Sequence, residues 1–183
     1  MNDPTPPRAD AYAPLTRLLV RYAIVMAVVA LLAGISFQES AKRLAFDQAP
    51  AGLRLEALLP LGLVHGHVFT AGVLLPLALA GALHLARRAG GGEVGPRTRA
   101  LFAWLFLPCT ALSLGLLLVK GYHVLLAVRG GEADLGVIDA AFLGGHQPLR
   151  YLLYGAVHGG MGLGLLILLV GVWRSMSRRA RTG

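Results

Sequence analysis

The sequence predicts an all-α integral membrane protein, a bundle of four transmembrane helices with both termini in the cytoplasm. Three observations lead to this fold class. Of the 183 residues, 56% are hydrophobic and 14% are charged, whereas a soluble domain has about 25% charged residues. Four apolar runs are each long enough to cross a bilayer, which takes about 20 helical residues. The basic residues flank these runs instead of forming one patch.

The order of the elements follows from the apolar runs. We predict a tail at 1–17, spans at 18–37, 58–86, 100–128 and 151–173, and a basic tail at 174–183. Arg21 can extend to the interface from the start of the first span, and Lys120 is the only charged residue inside the third. Because lipid offers no partners for backbone groups, runs of this kind must form helices. The Gly- and Pro-rich segments between the spans are predicted to be loops.

The distribution of arginine predicts the orientation. The segment after the second span has Arg87, Arg88, Arg97 and Arg99 against a single acid, Glu93. The C-terminal tail has four arginines and no acid, while the other two connecting segments have balanced charge. Loops rich in Lys and Arg remain in the cytoplasm. We therefore expect a multi-pass protein of the bacterial inner membrane with both termini inside.

Several function classes are excluded by what the sequence lacks. Cys109 is the only cysteine, which rules out an intrachain disulfide, a CxxC metal knuckle and a CxxCH haem attachment site. There is no HExxH, no P-loop and no GxGxxG that leads into a soluble helix, so no enzyme class is assigned. The net charge is +8, and the basic residues flank the apolar runs. We therefore expect a lipid bilayer as partner and no nucleic acid.

Histidine is the informative residue type, because three different spans carry it at one depth. Measured from the predicted outer helix ends at about 1.5 Å per residue, His65 and His67 lie about 10–14 Å deep and His158 about 10 Å. Lys120 lies about 12 Å deep and His123 about 8 Å. Ionisable residues inside a membrane are costly and usually face the interior of a bundle. This layer is the predicted functional site.

The spacing of these histidines favours haem. His65 and His67 point about 200° apart on a regular helix, so both cannot bind one metal ion. His158 lies among small residues, where a flat porphyrin could approach its imidazole. We predict haem b between the second and fourth spans, with His67 or His65 and His158 as ligands. Copper bound by His65, His67 and His158 is the alternative metal assignment.

The remaining polar residues of the layer have supporting roles in this prediction. Lys120 either reaches the outer interface or pairs with Glu39 or an anionic cofactor group, and His123 is interfacial or supports a ligand. His84 is predicted to be interfacial near the cytoplasm, and His146 to be solvated in an outer loop. The haem propionates would point toward basic residues at the outer side, namely Lys120, Arg54, Arg129 and Arg150.

These motifs resemble a small bacterial four-helix membrane family of unknown function. Its members have an aromatic residue and a glutamate after the first helix, a His-x-His on the second, and a histidine among glycines on the fourth. The matching residues here are Phe37-Gln38-Glu39, His65-Gly66-His67 and Val157-His158-Gly159. The segment 64–68 with Gly72 is also similar to histidine-bearing helices of haem-copper oxidase and nitric-oxide reductase catalytic subunits.

The second resemblance has a clear limit. Those catalytic subunits have many more helices and use adjacent histidines at copper, and this sequence has no His-His pair. The resemblance therefore implies a reduced haem- or copper-binding bundle that uses His65, His67 and His158.

The predicted function is haem or metal binding in the outer leaflet, for a redox, gas-binding or respiratory cofactor-handling role. A quinone or subunits of a respiratory complex are the expected partners, and a homo-oligomer is compatible with the sequence. One alternative is a bundle that conducts protons or ions through its histidines. Another is a non-catalytic assembly subunit of a respiratory complex, which would pack through its glycine faces.

Overall fold

The fold is entirely helical in the computed structural model, which describes residues 10–43 and 51–177. No strand occurs in this part of the chain. Each predicted span lies within a longer helix, which extends beyond it at both ends. The four helices that are long and apolar enough to cross a membrane are Ala13–Ser40, Gly52–Arg88, Pro96–Arg129 and Gln147–Ser177.

The helices differ from the predicted spans mainly at their ends. The predicted tail 1–17 becomes helical at Ala13, and the last helix enters the basic tail as far as Ser177. Residues 1–9 and 178–183 of these two tails lie outside the described residues. The elements are α1 (Ala13–Arg43), α2 (Ala51–His67), a π-helical segment (Val68–Leu74), α3 (Leu75–Arg88), α4 (Pro96–Arg129), α5 (Leu135–Ala141), a 3-10 turn (Phe142–Gly145) and α6 (Gln147–Ser177).

Two ends of the bundle can be distinguished. We call the end where α1 begins and α6 finishes the terminal end, and the opposite one the distal end. We refer to α2, the π-helical segment and α3 together as the second span. The second span packs on α1 along its length, on α4 through α2, and on α6 through α3. It therefore moves from α4 toward α6 along the bundle, and it meets α6 mainly through α3.

Helices α4 and α6 form the most extensive contact and are antiparallel. Glycines of α6 make this close approach possible. A Cβ atom added to Gly164 would lie 2.7 Å from the backbone nitrogen of Phe106, and one added to Gly171 would lie 2.8 Å from Thr98. Small residues at such contacts let helix backbones approach each other in a membrane.

The largest buried cluster closes the terminal half. It joins residues of α1, α3, α4 and α6, and the phenyl rings of Phe102 and Phe106 stack at a centroid distance of 5.1 Å within it. The hydroxyl of Tyr12 accepts a 2.9 Å hydrogen bond from the backbone N–H of Val94. The cluster fills the interior of this half of the bundle, and a cavity of about 490 Å³ lies beside it, between the start of α4 and the end of α6. Its largest members include Tyr12, Leu19, Leu83, Phe102, Phe106 and Leu168.

The second span departs from the expected regular helix directly after His67. The backbone N–H of Leu75 donates to the carbonyl of Thr70, five residues earlier, as in a π-helix. Pro76 follows, and it has no N–H for a regular helical bond. Gly72 lies against Met26 of α1, where an added Cβ would be 3.0 Å from that side chain. Single π-helical turns often occur at functional sites.

The segment between α4 and α6 is also more ordered than the expected loop. Asp134 caps α5 by accepting hydrogen bonds from the backbone N–H groups of Gly136 at 2.8 Å and Val137 at 3.3 Å. Ile138 and Phe142 are buried beneath the segment. An Asp before a short apolar run is a helix-start signal, so the sequence contained the evidence for this helix.

Candidate functional site

His65 faces α1. Its Nδ1 atom lies 2.8 Å from the carbonyl oxygen of Ala30, and a Cβ added to Gly34 would lie 3.0 Å from the same nitrogen. The glycine therefore allows the imidazole to reach the α1 backbone. A backbone carbonyl at Nδ1 fixes the tautomer and leaves Nε2 for a ligand.

His67 makes a side-chain contact within its own helix. Its Nδ1 atom lies 2.8 Å from the carbonyl oxygen of Leu63, and its side chain is exposed. Because two residues separate it from His65, the two imidazoles leave α2 on opposite sides. His67 therefore points away from α1.

His158 lies on α6 and contacts α4. Its Nδ1 atom is 3.0 Å from the carbonyl oxygen of Tyr154, and its Nε2 atom is 3.3 Å from the hydroxyl of Ser113. The Tyr154 ring stacks beside the imidazole at 6.0 Å. His158 shares a helix face with Met161 and Leu165, three and seven residues later. Those two pack on the buried cluster that residues of α1, α3, α4 and α6 share, so this face borders the interior of the bundle.

His67 and His158 lie at about the same level of the bundle. Leu61 of α2 lies against Gly121 of α4, so His67, six residues along the antiparallel helix, is opposite about residue 115 of α4. His158 contacts Ser113. Two residues along a helix correspond to about 3 Å. The contacts thus bring these two histidines to one level, whereas His65 faces another helix.

Lys120 pairs with Asp139 of α5, a partner that the sequence reasoning did not consider. The Lys120 Nζ atom and an Arg150 guanidinium nitrogen lie 2.9 Å and 2.8 Å from the two carboxylate oxygens of Asp139. The hydrogen bond from Lys120, followed by that from Arg150, lowers the pKa of the Asp139 carboxyl. Two of the four cations expected near haem propionates therefore hold α5 against α4 and α6.

His123 also contacts the α5 segment. Its Nε2 atom lies 2.8 Å from the carbonyl oxygen of Ile138, and its ring packs against Phe142 at 5.2 Å. This is a supporting position, not one beside the other histidines. His84 lies at the terminal end, 3.0 Å from the Thr16 hydroxyl. His146 is exposed just before α6.

Sequence reasoning missed three polar residues of this region, Ser113, Asp139 and Tyr154. The hydroxyl of Tyr154 is buried and has no hydrogen-bond partner within the described ranges. Tyr154 could have been noticed four residues before His158, on the same helix face. Ser113 and Asp139 join the site only through tertiary contacts, which carry no local sequence signal.

A metal site requires ligating side chains that lie close together. Within residues 10–43 and 51–177, no three His, Cys, Asp or Glu side chains are grouped to hold a metal ion. Haem iron is held by axial ligands from the protein, and two histidines are enough for both positions. His67 and His158 lie at about one level on different helices, which is one requirement for such a pair.

No family model, curated protein or solved structure matches this chain. The resemblance to a small four-helix family, and that to haem-copper oxidase helices, remain predictions from the motifs. A helical bundle can carry many functions, so the site, and not the fold, bears on the function.

Proposed function

We propose that the chain is a multi-pass protein of the bacterial inner membrane that binds haem b through His67 and His158, with copper as the alternative cofactor. Both termini and the basic loop between α3 and α4 would lie in the cytoplasm, in accordance with the positive-inside rule. The site would then lie in the outer half of the membrane. Its role would be electron transfer, gas binding or cofactor handling for respiratory enzymes.

One observation carries this proposal: two exposed imidazoles occupy one level within apolar helices. Polar side chains are costly in the membrane unless they face a cavity or a partner. Each of these imidazoles has Nδ1 against the carbonyl oxygen four residues earlier. That contact orients a ligating histidine and leaves Nε2 of His67 for the metal. Nε2 of His158 would exchange its 3.3 Å contact with the Ser113 hydroxyl for the metal.

The surface beside the histidines suits a flat ring. Cβ atoms added to Gly66, next to His67, or to Gly155 and Gly159, around His158, would meet nothing within 4 Å. A macrocycle could therefore approach either imidazole without displacing a side chain. When bound, haem would supply one-electron chemistry, which the protein tunes through its ligands and their surroundings.

The packed interior of the terminal half favours a cofactor over ion conduction. The histidine layer is followed toward the terminal end by the buried cluster around Phe102, Phe106 and Leu168, each fully buried. A path for protons needs polar groups or water along its length. This core supports a site that ends within the membrane.

The first experiment is a reduced-minus-oxidised visible spectrum of the purified protein, with haem and copper quantified per chain. We expect sharp reduced bands at about one haem per chain. His67→Ala and His158→Ala should each lose most of the haem, because one axial ligand is removed in each. Membrane insertion should be unchanged in both variants.

His65→Ala and His84→Ala are the matched controls, since these histidines face α1. Both should retain haem at the level of the unaltered protein. A featureless spectrum from cells supplied with ample haem would overturn the haem assignment. Haem loss in His65→Ala together with retention in His67→Ala would overturn the choice of ligand.

A further inference from the structure

The cavity between the start of α4 and the end of α6 lies at the terminal end of the bundle, away from the proposed haem site. Its volume is about 490 Å³. The haem proposal makes no use of it. Five of the residues that line it carry the argument: Glu93, Thr98, Leu166, Val170 and Arg174.

The polarity of this cavity changes along α6. Leu166, Val170 and Arg174 line it and are spaced four residues apart, so they follow one face of the helix. Leu166 and Val170 are 56% and 38% exposed. They lie about 12 Å and about 6 Å from the level of Arg174, toward the middle of the bundle. The cavity therefore has a guanidinium at its outer end and an aliphatic wall at its inner end.

Arg174 lies at the level where lipid head groups are expected. From Tyr151 to Trp173, α6 contains no Asp, Glu, Lys or Arg, so Arg174 is the first charged residue after the apolar run. Trp173 is 70% exposed, and tryptophan is enriched at the interface between membrane and water. A molecule with a polar head at this interface and a hydrocarbon chain would match the cavity along its length.

The sequence at the terminal end has a large excess of positive charge. The segments 87–99 and 174–183 contain four arginines each, and Glu93 is their single acid. The tail 1–9 is balanced, with one Asp and one Arg. Basic pockets between spanning helices bind the head groups of anionic lipids. This excess holds for the whole of both segments, whichever of the side chains lies nearest the cavity.

The acid that lines the cavity is already bound by the protein. The carboxylate of Glu93 lies 3.1 Å from a guanidinium nitrogen of Arg99 and 3.9 Å from one of Arg87. Among the ion pairs of the described residues, none involves Arg174. The guanidinium of Arg174 therefore has its donors available for an anion from outside the chain.

Arg174 and Thr98 together can hold a phosphate group. A guanidinium can donate two parallel hydrogen bonds to phosphate oxygens, and a threonine hydroxyl is a further donor. Thr98 lies against Gly171, where an added Cβ would be 2.8 Å from its methyl group. Gly171 is three residues before Arg174, about one helical turn. The two donors thus come from α4 and α6 at about the same level.

We propose that this cavity binds an anionic glycerophospholipid of the phosphatidylglycerol class. Its phosphate bonds the guanidinium of Arg174 and the hydroxyl of Thr98, and one acyl chain follows Val170 and Leu166 toward the middle of the bundle. The lipid joins α4 to α6 at the membrane surface. The site uses no residue of the haem proposal and does not depend on it.

The test is lipid binding to the purified full-length protein in detergent, measured by native mass spectrometry. The protein is titrated with dioleoyl phosphatidylglycerol and, separately, with dioleoyl phosphatidylcholine, and the phosphatidylglycerol should bind more tightly. Arg174→Gln should weaken phosphatidylglycerol binding about fivefold, which corresponds to about 1 kcal/mol, the contribution of one basic residue near anionic lipid. Val170→Trp should weaken it at least as much, because the indole occupies the space of the acyl chain.

Two matched controls test whether the cavity itself is the site. Arg97→Gln removes another exposed arginine of the same end, one that does not line the cavity. Leu169→Trp places the same indole one residue away, on another face of α6. Both variants should bind phosphatidylglycerol as the unaltered protein does. Equal binding of the two lipids by the unaltered protein, or equal losses in a variant and its control, would overturn the proposal.

Two further measurements separate this lipid from a soluble anion and from the haem assignment. Glycerophosphoglycerol, which has the same head group without acyl chains, should not displace bound phosphatidylglycerol at equal concentration. Full displacement would indicate a site for soluble anions and contradict the lipid. His67→Ala should bind phosphatidylglycerol normally, and Arg174→Gln should keep the haem content of the unaltered protein, so each proposal can fail without the other.

Discussion

The terminal and distal halves of the bundle are built differently. In the terminal half, all four spanning helices contribute to one buried cluster with stacked phenyl rings. In the distal half, the buried clusters are smaller, and exposed histidines and a groove of about 550 Å³ lie beside them. Close packing thus fills the interior of the terminal half, where a cavity of about 490 Å³ lies between the start of α4 and the end of α6, while the distal half has its space beside histidine side chains.

This difference is compatible with the function proposed above, in which stability and cofactor binding use different parts of the bundle. Packed interiors lose stability when even one methylene is added or removed. A site that admits a cofactor needs the opposite, which is space and side chains without protein partners. With the haem site proposed above, the chain would keep these requirements apart, at different depths of the same four helices.

The largest effect that tests this division is expected at Gly164. Gly164→Ala would bring a Cβ atom within 2.7 Å of the backbone nitrogen of Phe106. Because backbone cannot give way as a flexible side chain can, α4 and α6 must separate, at a cost of about 1–3 kcal/mol. Thermal unfolding in detergent should show a clearly lower midpoint.

Gly162→Ala is the control on the same helix. A Cβ there meets nothing within 4 Å, and alanine is a better helix former than glycine by about 1 kcal/mol. We expect the unfolding midpoint to stay equal or to rise. Equal destabilisation by both variants would show that close packing is not what distinguishes the terminal half.

A smaller effect is expected at Asp139, whose ion pairs hold α5 against α4 and α6 at the distal end. Asp139→Asn removes the anion that Lys120 and Arg150 share. These side chains are partly exposed, so the expected loss is about 1 kcal/mol. Hydrogen exchange in α5 should become faster in the variant, whereas Glu132→Gln, in the same segment, should leave it unchanged.

The same carboxylate predicts a pH dependence. The pKa of Asp139 in the folded protein lies below its usual 3.8, so the unfolded chain binds this proton first as the pH falls. The stabilisation is therefore complete above about pH 4 and is lost as the pH decreases through the folded pKa. Hydrogen exchange in α5, corrected for the intrinsic exchange rates at each pH, should become faster in that acidic range in the unaltered protein. It should not do so in Asp139→Asn.

The fold could be predicted largely because lipid imposes a simple rule. Any long apolar run must become a helix to satisfy its backbone, so four runs gave four helices. The exceptions arise where local chemistry changes the backbone. Pro76 removes a hydrogen-bond donor next to the π-helical segment, and Asp134 begins a short helix in a segment read as loop.

The site was harder to predict. The depth of a residue in the membrane can be counted along the sequence, but the direction in which its side chain points cannot. Counting residues from the helix ends put His65, His67 and His158 in one layer. Which neighbour each imidazole meets depends on helix packing, and Gly34 admits His65 to α1 through space that only the fold creates. The partner of Lys120 was missed for the same reason, since Asp139 belongs to the helix that replaced the expected loop.

The smallest predicted effect compares two tyrosines that join α1 to α4 in different surroundings. The Tyr22 hydroxyl donates to the carbonyl of Leu107 at 3.2 Å, beside the buried clusters. The Tyr122 hydroxyl bonds Ser36 in a distal cavity of about 340 Å³. Tyr22→Phe should cost about 0.6 kcal/mol, the average for such bonds between membrane helices.

Tyr122→Phe should cost less, because water that enters the distal cavity can replace the lost partner of Ser36. Both variants and the unaltered protein can be unfolded in detergent with a chemical denaturant. The free energies of unfolding then give the loss for each variant. A larger loss for Tyr122→Phe than for Tyr22→Phe would contradict a hydrated distal half. It would also weaken the case that the space there is kept for ligands, because a hydrogen bond in a dry, closed region costs most when it is removed.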